Sequence, residues 1–383
     1  MSKACYVGVS GTARKVKKIY VGVNGTARKV KKAYVGVGGV ARLWWAEAGV
    51  SCYGTADSPL STARWELAAA ALSSRAIFGG GRTSSSGSSS SAVVNGYNAS
   101  LSLSTASSAL STARYQLAAG ASGSYVVFAG GRTGSSAVST TANAYNSSLS
   151  RSSANALGTA RGKLAAAVSG SYVLFAGGES GSLGAYSAVD AYSGRTKQSM
   201  SATLSTARSG LAGATTGGYA LFAGGGVYSN YVTTPSDAVE AFSGLTKVSM
   251  TAKLGTARYN LAGAAVGDRA VFAGGCGTSG GVYYNAVDAF NGTTKVSGVS
   301  ALSTARSELA GTAVGGFAVF AGGYTGSASA AADIYDASLT KQSLNLPLST
   351  ARRGLAAAAV GAYALFGGGY GSSVSGVVDV YTA

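Results

Sequence analysis

The chain has 383 residues, 46% apolar and only 11% charged, with 58 glycines, three prolines, three cysteines and no histidine. No apolar run approaches the ~20 residues a membrane-spanning helix needs. Without histidine or a cysteine cluster, the usual zinc and transition-metal sites and the Ser-His-Asp and Cys-His triads are excluded. The net charge of +17 is uneven: residues 1–45 hold ten Lys/Arg and no acid, and the remainder hold twenty against thirteen acids. The scattered Cys5, Cys52 and Cys276 argue against a disulfide framework. Met1-Ser-Lys-Ala leads straight into a repeat, so no signal peptide is expected.

Residues 1–48 read as a basic β-hairpin module. Three copies of a 14-residue unit run from Tyr6, Tyr20 and Tyr34, with Ser10-Gly11, Asn24-Gly25 and Gly38-Gly39 at their centres. Such pairs accept the positive φ of two-residue hairpin turns. Lys17-Lys18 and Lys31-Lys32 are expected to turn the chain between hairpins, giving a meander of about six short strands closed by Trp44 and Trp45. So small a sheet needs a packing partner, which suits docking or oligomerisation. The alternatives for its cations are nucleic-acid contact and a solvated face that discourages edge pairing.

Residues 49–383 are organised by a second repeat. Thr-Ala-Arg ends at Arg64, Arg114, Arg161, Arg208, Arg258, Arg306 and Arg352, in steps of 50, 47, 47, 50, 48 and 46 residues. Each copy predicts three strands and, in most, a fourth. In the last copy they are 355–360, 363–366 and 377–381; elsewhere a fourth follows, such as 246–251. Four strands per ~48 residues is the size of a propeller blade. First strands are rich in alanine (Ala68–Ala71, Ala165–Ala167, Ala356–Ala359), which suits the crowded innermost position. The seventh copy stops after its third strand, and the segment from Ser51 towards Leu60 is a fourth strand with no blade of its own. It is expected to complete the last blade and leave no open edge.

On these residues the chain resembles the kelch-repeat β-propellers. The Gly-Gly doublet after the second strand is read at 79–80, 130–131, 177–178, 224–225, 274–275, 322–323 and 367–368. The aromatic that closes the third strand stands at Tyr97, Tyr145, Tyr192, Phe242, Phe290, Tyr335 and Tyr381. The family's fourth-strand tryptophan is missing, and copies one and two are looser, with serine-rich stretches at 84–91 and 147–153. The resemblance implies an all-β, seven-bladed kelch-like propeller of four-stranded blades. A fold of this kind hosts many functions and names none.

Calling the strands A to D, antiparallel pairing puts the D–A and B–C loops on one face and the A–B and C–D turns on the other. The B–C loops carry Tyr186, Tyr228, Tyr231, Tyr283, Tyr284, Tyr324 and Tyr370 among Ser, Gly, Asn and Thr. Rigid tyrosines beside small polar residues are the composition of adaptable binding loops, and tyrosine faces suit stacking on sugar rings. The seven arginines enter from the same face. One acid or amide per blade matches them: Asn95, Asn143, Asp190, Glu240, Asp288, Asp333 and Asp379. That match favours a structural tie between blades over a basic ring for an acidic ligand. The Gly-rich segments are not phosphate loops, since neither Gly-Lys-Ser/Thr nor a helix follows.

No catalytic residue, metal or cofactor is expected, because the copper of kelch-like oxidases needs histidine. The tandem module ending Gly38-Gly-Val-Ala-Arg42-Leu-Trp-Trp45 resembles the N-terminal repeats of phage and prophage tail proteins of Gram-positive bacteria. It implies a virion structural protein. Residues 1–48 would meet other tail proteins, and the propeller would bind a host cell-surface glycan or protein. A homo-oligomer is expected, without membrane insertion or nucleic acid. A protein-binding adaptor and a carbohydrate-active enzyme are the alternatives.

Overall fold

In the computed structural model, residues 50–85, 89–181, 184–229, 232–278, 281–343 and 346–383 are described, with backbone alone at 228, 229 and 232. Of residues 1–49 the backbone of six strands is described. Two compact units result, Met1–Val50 and Ser51–Ala383.

In the first unit Tyr6–Val9 pairs with Thr12–Lys15, Ile19–Val23 with Thr26–Val30, and Lys32–Val37 with Val40–Ala46. Val9 faces Thr12, Val23 faces Thr26 and Val37 faces Val40, which leaves two residues for each connection. The turn pairs themselves, like Lys17, Lys18 and Lys31, lie outside the described residues. Two expectations need correction. The described strands form three separate two-stranded sheets rather than one meander, and Lys32 belongs to a strand rather than a turn.

The second unit is a closed seven-bladed β-propeller. Blade one pairs Ala68–Leu72, Arg75–Gly79, Val94–Asn98 and Leu103–Thr105 in sequence order. Blades two to five follow the same plan, and blade four adds a hairpin, Gly226–Ser229 with Val232–Pro235, in its B–C loop. In blade six the fourth strand shrinks to a bridge between Tyr335 and Lys341. Blade seven takes its fourth strand from the start of the propeller, with Ser51–Thr55 lying beside Val378–Thr382. Closure across the chain ends completes blade seven, and the free edges that remain are the short outer strands of the blades.

The fourth strands are shorter than their sequence suggests: Thr246–Val248 ends three residues before Thr251. An outermost strand buries one face at most, so little holds it beyond three residues. Conversely, Arg151–Ser153, inside the serine-rich stretch 147–153, forms the fourth strand of blade two.

Strand A alternates buried and half-buried residues, because one face packs on the blade and the other lines the axis. Strand B is buried almost throughout, as a central strand covered by both neighbouring blades must be. Its phenylalanine meets the third-strand aromatic edge to face in all seven blades, with centroids 5.5 to 6.2 Å apart. Such pairs add about 0.5–1.5 kcal/mol beyond the area they bury.

The left-handed doublet is Gly80-Gly81 in blade one and Gly368-Gly369 in blade seven, one residue later than the repeat pattern puts it. Gly79 and Gly367 are the last residues of their B strands. Across the seven doublets the first glycine has φ of 65–73° and the second 93–123°. A Cβ on the first would lie at most 2.7 Å from the carbonyl oxygen of the next blade's repeat arginine. Here both the left-handed backbone and the close approach require glycine.

Candidate functional site

The seven repeat arginines are buried almost completely. Each does two jobs. Its carbonyl accepts a hydrogen bond from the second doublet glycine of the preceding blade, at 2.8–2.9 Å, from Gly81 N–H to Arg114 round to Gly369 N–H to Arg64. Its side chain stays in its own blade. Arg161, Arg208, Arg258 and Arg306 pair with Asp190, Glu240, Asp288 and Asp333 at 2.8, 3.2, 2.8 and 2.9 Å, and Arg352 pairs with Asp379. Arg64 and Arg114 donate to the amide oxygens of Asn95 and Asn143 at 2.8 and 2.9 Å. The tie between blades therefore runs through the arginine's main chain. These guanidiniums are sealed inside the blades, away from any ligand on the loop face. Burial lowers the pKa of Arg64 and Arg114 to about 10, which leaves both charged at neutral pH.

Immediately after each arginine comes a dipeptide unlike its counterparts: Trp65-Glu66, Tyr115-Gln116, Gly162-Lys163, Ser209-Gly210, Tyr259-Asn260, Ser307-Glu308 and Arg353-Gly354. Its first residue bridges the residue after the glycine doublet, as in Trp65 with Arg82, Ser307 with Tyr324 and Arg353 with Tyr370. The D–A and B–C segments thus share one face. Its second residue has a positive φ of 50–64° in every blade. Its N–H donates to the carbonyl of the equivalent residue one blade back, at 2.7–3.1 Å, from Glu66 to Gly354 and so round the ring. Seven hydrogen bonds close a circle about the axis. Five of the seven residues are not glycine, and each left-handed residue costs about 1–2 kcal/mol. The circle sets these side chains around the mouth of the propeller.

The mouth has two unlike halves. Over blades two to four the charged side chains gather on one carboxylate. The Glu179 carboxylate takes Arg132 at 2.6 Å and Lys163 at 3.1 Å and accepts from the Ser209 hydroxyl at 3.2 Å. Over blades five, six, seven and one, and as far as Tyr115 at the start of blade two, the side chains stack instead. The Arg82 guanidinium lies 5.2 Å from the Trp65 ring and 4.5 Å from the Tyr115 ring. The Arg353 guanidinium lies 4.4 Å from the Tyr324 ring, 5.7 Å from Trp65 and 5.8 Å from Tyr370. Trp65 also meets Tyr370 at 5.4 Å, and Tyr283 meets Tyr324 edge to face at 5.7 Å. Glu66 and Glu308 sit beneath the two stacked arginines, each at 3.4 Å. Burial raises the Glu308 carboxyl above its ordinary value, with Arg353 opposing.

Of the seven tyrosines singled out by sequence, the structure gathers Tyr283, Tyr324 and Tyr370 on this half. Tyr186 and Tyr284 hold framework positions: their N–H groups donate to Gly178 and Gly275 and their carbonyls accept from Arg208 and Arg306. Tyr231 lies outside the described residues, as does the side chain of Tyr228. Trp65, Glu66, Arg82, Tyr115, Glu308 and Arg353 escape a search for recurring motifs because they do not recur. The available signal was the opposite one, a two-residue window that varies inside a regular repeat.

Among the described residues no group of three or more His, Cys, Asp or Glu is placed to hold a metal ion. No known family profile matches the chain, and no curated protein does. The solved structure of YjhT is similar in fold, with a TM-score of 0.54 over 70% of this chain and 92% of that one, at 12% identity. At that identity the likeness extends to the propeller architecture alone.

Proposed function

We propose that this is a non-catalytic recognition protein that binds a cell-surface glycan or protein on the loop face of the propeller. The observation that carries the reading is the run of stacked side chains across blades five, six, seven and one, with Arg353 against Tyr324 and Tyr370 at its accessible end. Aromatic rings and guanidiniums held on bridged backbone lose little entropy on binding, as good anchors require. Each glutamate at the mouth is engaged by a cation, Glu66 by Arg82, Glu179 by Arg132 and Lys163, and Glu308 by Arg353. That arrangement suits binding better than the paired acid and base of glycoside hydrolysis.

The tandem basic repeats of residues 1–48, with their likeness to phage tail modules, support a setting in a virion, where many copies turn weak contacts into avidity. Two measurements test the proposal. Mass spectrometry of density-purified particles from an induced culture of the protein's source is expected to recover the protein in fixed ratio to capsid and tail proteins. A soluble protein absent from particles would remove the virion setting. Tyr324→Ala and Tyr370→Ala are expected to weaken binding of the full chain to host cells by about tenfold each. Unchanged binding would remove this half of the face.

A further inference from the structure

Between blades six and seven the loop face opens into a cleft of about 600 Å³ whose lining includes Tyr324, Thr350, Arg353, Tyr370 and Ser372. Its walls are built on fixed backbone. Tyr324 is bridged to Ser307, and Tyr370 to Arg353, each pair by two main-chain hydrogen bonds of 2.7–3.0 Å. Arg353 is stacked on Tyr324 at 4.4 Å, and its Nη1 donates to Glu308 at 3.4 Å. No other hydrogen bond from this guanidinium is found among the described residues, so its Nε–Nη2 edge is left for a ligand. The hydroxyls of Ser327, Thr350, Ser372, Tyr324 and Tyr370 likewise make none among the described residues.

We infer that this cleft holds an internal residue of an acidic polysaccharide of the uronate type, with the sugar carboxylate on Arg353, the ring against a tyrosine and its hydroxyls on the serine and threonine edge. The inference names the ligand class for the recognition reading above and rests on it. Three observations select this chemistry. A guanidinium fork matches a carboxylate through two parallel hydrogen bonds, and stacking fixes its plane. Half-buried tyrosine rings among unengaged hydroxyls match a molecule with one apolar face and a hydroxylated rim. The cleft opens to solvent and its aliphatic side chains are only Ala328 and Ala351. A chain can pass along it, whereas a peptide finds no apolar socket for its side chains.

The test is calorimetry of the full chain with hexasaccharides of polygalacturonate, alginate and hyaluronan. The comparison ligands are a neutral galactan hexasaccharide, monomeric galacturonate and a hexa-aspartate peptide. At least one uronate hexasaccharide is expected to bind, with each comparison ligand about tenfold weaker or more. Arg353→Gln is expected to lower affinity by about tenfold or more, the loss of a charge-assisted pair. Because Arg353 is packed, Ala351→Trp provides an independent variant: it fills the cleft from an exposed position and is expected to abolish binding with an unchanged melting curve. Equal binding of hexa-aspartate, or full binding by folded Ala351→Trp, would overturn the inference. So would a failure of all three uronates while the protein still binds host cells, an outcome that spares the recognition reading. Loss of host-cell binding by the wild-type chain would take both.

Discussion

Blades one and five solve one structural problem with different chemistry. In blade five, Asp288 lies between Arg258 at 2.8 Å and Lys295 at 2.7 Å. In blade one, Arg64 meets a neutral amide, Asn95, and Leu103 occupies the strand position of Lys295. Each cluster carries one net positive charge, so the blade with the amide has dropped the carboxylate and the ammonium together. Blade two is intermediate: it has Asn143 and keeps a cation, Arg151, but that cation donates to the Ala109 carbonyl. The repeat therefore preserves an acceptor for the buried arginine rather than an ion pair as such. How fully the guanidinium is satisfied does not follow the partner: Arg64 and the carboxylate-paired Arg208 each leave Nε and Nη1 without a partner, whereas Arg258 and the amide-bound Arg114 leave only Nε.

The largest effect should come from breaking the charged version. Arg258→Met takes the buried partner from a carboxylate that is 7% exposed and leaves it only the half-exposed Lys295 and the Gly255 N–H, and removing one partner of a buried pair costs about 3–5 kcal/mol. Arg64→Met leaves a neutral amide behind and is expected to cost about 1–2 kcal/mol, the loss of its buried hydrogen bonds to Asn95 and the Phe78 carbonyl. Chemical denaturation of both variants measures the difference, and equal losses would show that the ion pair adds nothing over the amide.

Acid should separate the two designs next. Burial alone would raise the Asp288 carboxyl. Hydrogen bonds from Lys295, the charge and hydrogen bonding of Arg258 and the N–H of Gly255 together hold it below its ordinary value of 3.8. Asp333 is held down in the same way by Arg306, the N–H of Ser303 and Lys341. A depressed carboxyl stabilises the fold above its unfolded pKa and loses that contribution as pH falls through the folded one. Stability is expected to decline below about pH 4. An Asp288→Asn, Lys295→Leu double variant, which copies blade one into blade five, should decline less steeply. An identical acid profile would place the sensitivity elsewhere.

The smallest effect is expected from Lys295→Leu alone. Lys295 is 36% exposed, solvent screens its pairing, and the loss should be about 1 kcal/mol or less. A much larger loss in melting experiments would make the lysine, rather than the arginine, the principal partner of Asp288.

The fold was legible because its determinants recur. A left-handed glycine doublet, a buried arginine, an aromatic closing strand C and an alanine-rich strand A appear seven times, and counting strands sufficed to assign Ser51–Thr55 to the last blade. The register is hidden where local sequence is degenerate. Three successive glycines at 79–81 and 367–369 hid the register of the doublet, since only pairing shows which glycine ends the strand. Outer strands came out shorter than their composition implied, because strand length there depends on what remains to be buried.

The sequence by itself determined the number of blades, the closure of the ring and the pairing of each arginine with one acid or amide. All are periodic, and periodicity survives in one dimension. The tertiary structure alone decided which unrepeated residues meet. Trp65 and Arg353 are nearly 300 residues apart in the chain, yet ring closure sets blade one beside blade seven and brings their side chains within 5.7 Å. The candidate site is an accident of neither residue alone. It arises because a closed circle of main-chain hydrogen bonds fixes seven dipeptides of different sequence around one axis, and proximity around a circle leaves no trace in local spacing.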